Sequence, residues 1–199
     1  MDDFPIETHP FAPVLPPHAR VMMMGTFPPA AAKRCMAFHY PNFQNDMWRI
    51  YGLVFFNDAG HFQVAGEKRF DAGKIRDFLM AHNIALCPTV RRAVRERGNA
   101  SDKFLRIVEP VDLGAVLAQL PDCRWLFTTG GKATETLLSL LEPAPPMPPV
   151  NQAVAFDYHG RHLQLCRLPS SSRAYPLTLA AKAAAYRAFF ERSGVLPLS

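Results

Sequence analysis

Apolar and polar positions along the chain alternate between two periods. Short apolar runs at residues 20–24, 84–87 and 124–129 predict strands. Residues 154–158 and 161–168 predict two more, joined at His159-Gly160 by a two-residue hairpin turn. Between these runs the spacing turns helical. Residues 71–82 put Ile75, Phe78 and Leu79 on one face, and further helices are expected at about 45–56, from an Asp112 cap through Leu120, at 131–141, and at 179–192 after a Thr178 cap. Residues 88–111 read as an arginine-rich loop and 142–150, with five prolines, as a surface connection. Strands alternating with helices predict an α/β fold: a three-layer α/β/α sandwich around a mostly parallel sheet of four or five strands. Five prolines in residues 1–19 predict an extended arm, leaving residues 20–199 as a single domain.

A chain of 199 residues is long enough for one full α/β core and short for two. Hydrophobic residues make up 49%, which excludes a disordered polymer. No apolar stretch approaches the roughly 20 residues needed to span a bilayer. The opening MDDFPIETHPF is acidic and proline-broken, unlike a secretory signal, so a soluble cytoplasmic protein is expected. Net charge is +5, with sixteen arginines against six lysines. Arginine forks onto phosphate and stacks on bases, a bias that suits a nucleic-acid partner but also occurs in enzymes that never meet one. Cys35, Cys87, Cys123 and Cys166 are scattered without a CxxC pair, so reduced, packed thiols are expected, with no iron–sulfur cluster and no metal.

Two segments carry chemistry. In the first, Val21–Met24 stops at Gly25-Thr26-Phe27-Pro28-Pro29, where glycine and proline force a sharp turn. Phe38, His39, Tyr40, Asn42, Phe43, Gln44, Asn45 and Trp48 follow, flat rings beside amides that suit a pocket for a planar heterocycle. The second is Leu168-Pro169-Ser170-Ser171-Ser172-Arg173-Ala174-Tyr175. Sites in open parallel sheets lie beyond the carboxyl ends of the strands. Both segments follow strands, so residues 25–28 and 169–172 are expected to line one crevice.

Together, Gly25-Thr26-Phe27-Pro28, Tyr40 to Asn45-Asp46-Met47-Trp48-Arg49, and Leu168-Pro169-Ser170 resemble the uracil-DNA glycosylase superfamily. The resemblance is closest to its mismatch-specific uracil/thymine and hypoxanthine-DNA glycosylase branches, runs from about Arg20 to Arg192, and includes Phe127-Thr128-Thr129-Gly130-Gly131-Lys132. It implies a monofunctional enzyme, without cofactor, that hydrolyses the N-glycosidic bond of a deaminated or mismatched base in DNA. Such an enzyme flips the nucleotide out and stabilises charge on the leaving base.

The resemblance makes Tyr40 the ring on which the base stacks. Asn45 reads the base or orients water, and also stands where it can cap the next helix. Backbone N–H groups at Gly25, Thr26 and Phe27 can meet the base. His39 can donate to the leaving base or a phosphate, or simply pack. Asp46 can serve as a base or, as the residue after Asn45 near a helix start, offset the helix dipole. Ser170, Ser171 and Ser172, with Arg173 and Tyr175, form the expected DNA-facing loop. Lys132, at a helix start, can help receive a phosphate. Arg91, Arg92, Arg95 and Arg97 form a second basic cluster, read as a solvated loop ahead of a groove binder.

Two positions depart from the family. Phe27 stands where many relatives carry Asp or Asn to activate water, and Leu168 where they often carry His or Asn to bind the base oxygen. The rival reading is therefore a catalytically weak or inactive glycosylase-like protein that binds DNA or a nucleobase. A monomer is expected in either case.

Overall fold

The computed structural model describes residues 4–96 and 102–198. Its largest element is a five-stranded sheet built from β2 (Val21–Met24), β3 (Ile84–Leu86), β6 (Trp125–Thr129), β7 (Ala153–Tyr158) and β8 (Arg161–Leu168). The order is β3-β2-β6-β8-β7; the first three pairings are parallel and β7 runs antiparallel on β8. At the β7–β8 turn His159 and Gly160 both take positive φ (47° and 77°), as a two-residue hairpin requires.

Helices cover both faces, because successive side chains of a buried strand point to opposite sides. Val21, Met23, Ile84, Leu86, Phe127, Cys166 and Leu168 face α1 (Met47–Phe56), α2 (Ala72–Ala81) and α5 (Leu179–Arg192). Met22, Met24, Ala85, Leu126, Leu163 and Leu165 face α3 (Leu113–Ala118) and α4 (Gly131–Leu138). Three layers result. Side-chain oxygens of Asp71, Asp112 and Thr178 accept from the third residue on, at 3.0, 2.9 and 3.1 Å, and fix the starts of α2, α3 and α5. Helix α4 ends at Leu138, short of the expected 141.

The segment expected to be an arginine-rich loop is a second sheet. Strands β4 (Val90–Arg95) and β5 (Leu105–Pro110) pair antiparallel, and β1 (Ile6–Thr8) adds on the free side of β4. A register shift near Arg92 breaks the period-2 pattern, which hid the strand from the sequence. Arg91 and Arg92 are exposed beside Glu109 at 3.5 and 3.6 Å. Arg95 is not solvated: it is buried, 3.1 Å from Glu7 and 2.9 Å from the Pro28 carbonyl. Arg97 lies outside the described residues. Residues 6–14 are stitched down, for Val14 bridges Leu86 in both directions at 2.9 and 2.8 Å and covers part of the β3 edge.

Among the described residues no helix is long and apolar enough to cross a membrane. None of the four cysteines is in a disulfide. Burial pushes the thiols up, Cys87 to about 12 and Cys123 and Cys166 to about 11, so they stay protonated and inert. No cluster of His, Cys, Asp or Glu among the described residues could hold a metal.

Candidate active site

A cavity of about 500 Å³ opens at the carboxyl ends of β2, β6 and β8. Residues 25–29, the 39–45 loop and Ser170–Ser172 line it together, so the two chemistry-bearing segments do share one crevice. His9, Phe11, Asp102 and Thr129 complete the lining used below.

The turn after β2 is held from three sides. Thr89 binds the Gly25 carbonyl through its N–H (2.8 Å) and its hydroxyl (2.9 Å). Thr26 donates its hydroxyl to Asp102 at 2.8 Å. Arg95 holds the Pro28 carbonyl, and its guanidinium lies 5.7 Å from the Phe27 ring. The small sheet is thus the buttress of this turn, and Phe27 packs on its Val90, Ala93 and Leu105.

Tyr40 sits at φ 52° and donates to or accepts from the Thr129 hydroxyl at 2.7 Å. Burial pushes its phenol above the ordinary range, so it remains neutral. A Cβ at Gly25 would collide with the Tyr40 hydroxyl. Glycine is needed here for close approach of ring to backbone. Gly25→Ala is expected to cost about 1–3 kcal/mol through overpacking, read as a lower urea midpoint. A variant as stable as the parent would show that Tyr40 moves aside freely.

Asn45 accepts the Met47 N–H on Oδ1 at 2.9 Å, capping α1, which begins at Met47 rather than 45. That bond assigns the amide: the acceptor must be oxygen, so Nδ2 is the other arm. Among the described residues Nδ2 has no hydrogen-bond partner, and Asn45 lines the cavity. The 39–45 loop is pinned by Trp48 Nε1 on the His39 carbonyl (2.9 Å) and by Arg49 on the Phe43 and Asn45 carbonyls (2.7 and 3.1 Å).

Asp46 carries no cap bond to its own helix. It is buried, 2.9 Å from the buried Lys182 of α5 and 3.5 Å from Arg173. Lys182 also donates to the Ser172 carbonyl at 2.8 Å, and the Asp46 N–H donates to the Ser171 carbonyl at 2.9 Å. Tyr186 holds the Pro169 carbonyl at 3.0 Å. The serine loop is therefore clamped onto the start of α1. Its outer part is exposed, with Ser172 N–H on Ser170 Oγ (3.2 Å) and Ala174 N–H on Ser172 Oγ (3.3 Å).

Two histidines line one side, their ring centroids 5.4 Å apart. Burial depresses His9 to about 3 and His39 to about 4, so both are neutral at ordinary pH. His39 Nε2 lies 2.8 Å from the Ala12 carbonyl and must be the donor there, which leaves Nδ1 as an acceptor. Burial also pushes the Asp102 carboxyl above the usual aspartate range, against the Thr26 hydrogen bond and the charges of Lys132 and Arg95.

Of the residues singled out in the sequence, Gly25, Thr26, Phe27, His39, Tyr40, Asn45, Ser170, Ser171 and Ser172 meet at the cavity. Leu168 does not: it is 1% exposed and packs in the core on the α1–α5 face. Lys132, Arg173 and Tyr175 also lie off its lining, although Ala174 is on it. The sequence reading missed His9, Phe11, Thr129 and Asp102. Only Thr129 had a signal, its place at a strand end beside Gly130.

No family model and no curated protein matches this sequence. A solved structure does. The chain superposes on a provisionally assigned uracil DNA glycosylase from Methanosarcina acetivorans, determined in solution by NMR, with a TM-score of 0.65, 21% identity, and coverage of 95% of this chain and 99% of that one. The two share one fold.

Proposed function

We propose that this chain is a monofunctional DNA glycosylase that hydrolyses the N-glycosidic bond of a deaminated base, uracil first and hypoxanthine second, in base excision repair. The convergence of the Gly25 turn, the 39–45 loop and the serine loop on one cavity supports this reading most. A volume of about 500 Å³ suits a flipped nucleotide, which must be unstacked before its bond is reached. Tyr40 offers a neutral ring on the cavity lining. Backbone N–H groups at Thr26 and Phe27 and the Nδ2 donors of Asn45 are the groups available to charge developing on the leaving base. Lys182 is engaged by Asp46 and the Ser172 carbonyl, which argues for hydrolysis over imine chemistry.

Duplex and single-stranded oligonucleotides carrying uracil, hypoxanthine, xanthine or mismatched thymine test the proposal. Excision should leave abasic sites without enzyme-driven strand cleavage. Binding should be sequence-tolerant and fall steeply with salt as counterions are released. Arg173, exposed on the serine loop, should contribute to damaged and undamaged duplex alike, so Arg173→Ala should weaken both. Salt-independent binding would count against a DNA partner. One observation favours a binding protein instead: an aromatic ring, Phe27, lines the cavity where many relatives carry a water-activating side chain. No excision of any base, with DNA binding intact, would establish that reading.

A further inference from the structure

We infer that Asp102 supplies the carboxylate that orients and deprotonates the attacking water, an assignment that rests on the glycosylase reading. Phe27 has no group for this step, and the serine loop brings no carboxylate. Asp102 reaches the cavity from the β4–β5 connection, distant in sequence from both chemistry-bearing segments. Its Oδ1 accepts the Thr26 hydroxyl at 2.8 Å, which fixes it beside the turn after β2. Among the described residues Oδ2 has no hydrogen-bond partner. Asp102 lines the same cavity as Tyr40 and Asn45, and Oδ2 is the oxygen left to hold a water there.

The step balances with one water. The C1′–N bond breaks and its electron pair leaves on the base. The water oxygen bonds to C1′, Asp102 takes one of its protons, and that proton returns through solvent to the base anion. Burial favours this use, since a poorly solvated carboxylate is a stronger base than an exposed one. The charged and titratable groups acting on Asp102 are Lys132 of α4, Arg95 of β4 and Tyr40. The other titratable lining groups, His9 and His39, are neutral down to about pH 4. Because only the carboxylate is active, excision should fall as pH drops through the raised Asp102 value, a limb lying above that of an ordinary aspartate.

Asp102→Asn tests this, since the amide oxygen keeps the Thr26 bond and the shape. Single-turnover excision should slow about 100-fold, the lower end for losing a general base. The acid limb should vanish, while affinity for duplex bearing a tetrahydrofuran abasic analogue and the urea midpoint hold. If the wild type excises a base and Asp102→Asn matches its rate and acid limb, this assignment fails and the glycosylase reading stands. If the wild type excises nothing, both fall.

Discussion

Replacing Asn45 by alanine is expected to slow single-turnover excision by about 10²–10³, the scale for losing one well-placed polar group from a developing anion. The side chain does two jobs through different atoms. Oδ1 caps α1 through the Met47 N–H, and Nδ2 is left for the cavity. The alanine variant should therefore also lose about 1 kcal/mol of stability from the missing cap. Asn45→Asp separates the two effects. It keeps an acceptor for the Met47 N–H but removes both donors, so stability should be retained while excision falls as in the alanine variant. Tyr40→Ala should instead weaken capture of the flipped base, by about 1–3 kcal/mol if stacking dominates. Wild-type excision by Asn45→Ala at normal stability would remove Asn45 from the chemistry.

The second large effect concerns the clamp beneath the serine loop. Lys182→Met should destabilise the fold by about 3–5 kcal/mol in urea denaturation, because Asp46 stays buried without its close partner. Arg173, at 3.5 Å and half exposed, compensates only in part. Adding Asp46→Leu should recover much of that stability, since replacing both members of a buried pair costs less than orphaning one. Excision should remain impaired in the double variant, for Ser172 has lost the donor to its carbonyl. Recovery of both stability and excision would show that the pair serves folding alone.

The main sheet and its helices were legible because their signals are local. Apolar runs marked β2, β3 and β6, and Asp112 and Thr178 announced helix starts that their side chains do cap. The small sheet was not legible. Arg91 and Arg92 look like a solvated loop, and pairing with β5 on one side and with β1, over eighty positions earlier, on the other makes a strand of their segment. Arg95 breaks the pattern further, as an arginine buried by Glu7 and the Pro28 carbonyl. Missing that sheet meant missing Asp102, which hangs from it, and His9, which follows β1. Leu168 failed for another reason. Strand β8 is buried on both faces, so its sequence does not tell which side its final residue takes. The parity of Cys166 and Leu168 sends both into the core on the α5 side. Asn45 was readable both as a cap and as a cavity residue, since a helix start at a strand end offers both surroundings.

The bond between Asp46 and Lys182 joins positions 136 residues apart, and this separation sets an order in time. As the chain is synthesised, the Gly25 turn, Tyr40 and Asn45 emerge early, yet the serine loop lacks its Lys182 and Tyr186 donors until α5 appears. The same helix brings Tyr186, Phe189 and Phe190 to cover the sheet face shared with α1. Contacts so remote in sequence form late, after the entropy of a long loop has been overcome. An incomplete chain would thus hold the aromatic half of the crevice without a fully clamped serine loop. The complete crevice arrives with the last helix, together with the burial that protects the core from aggregation.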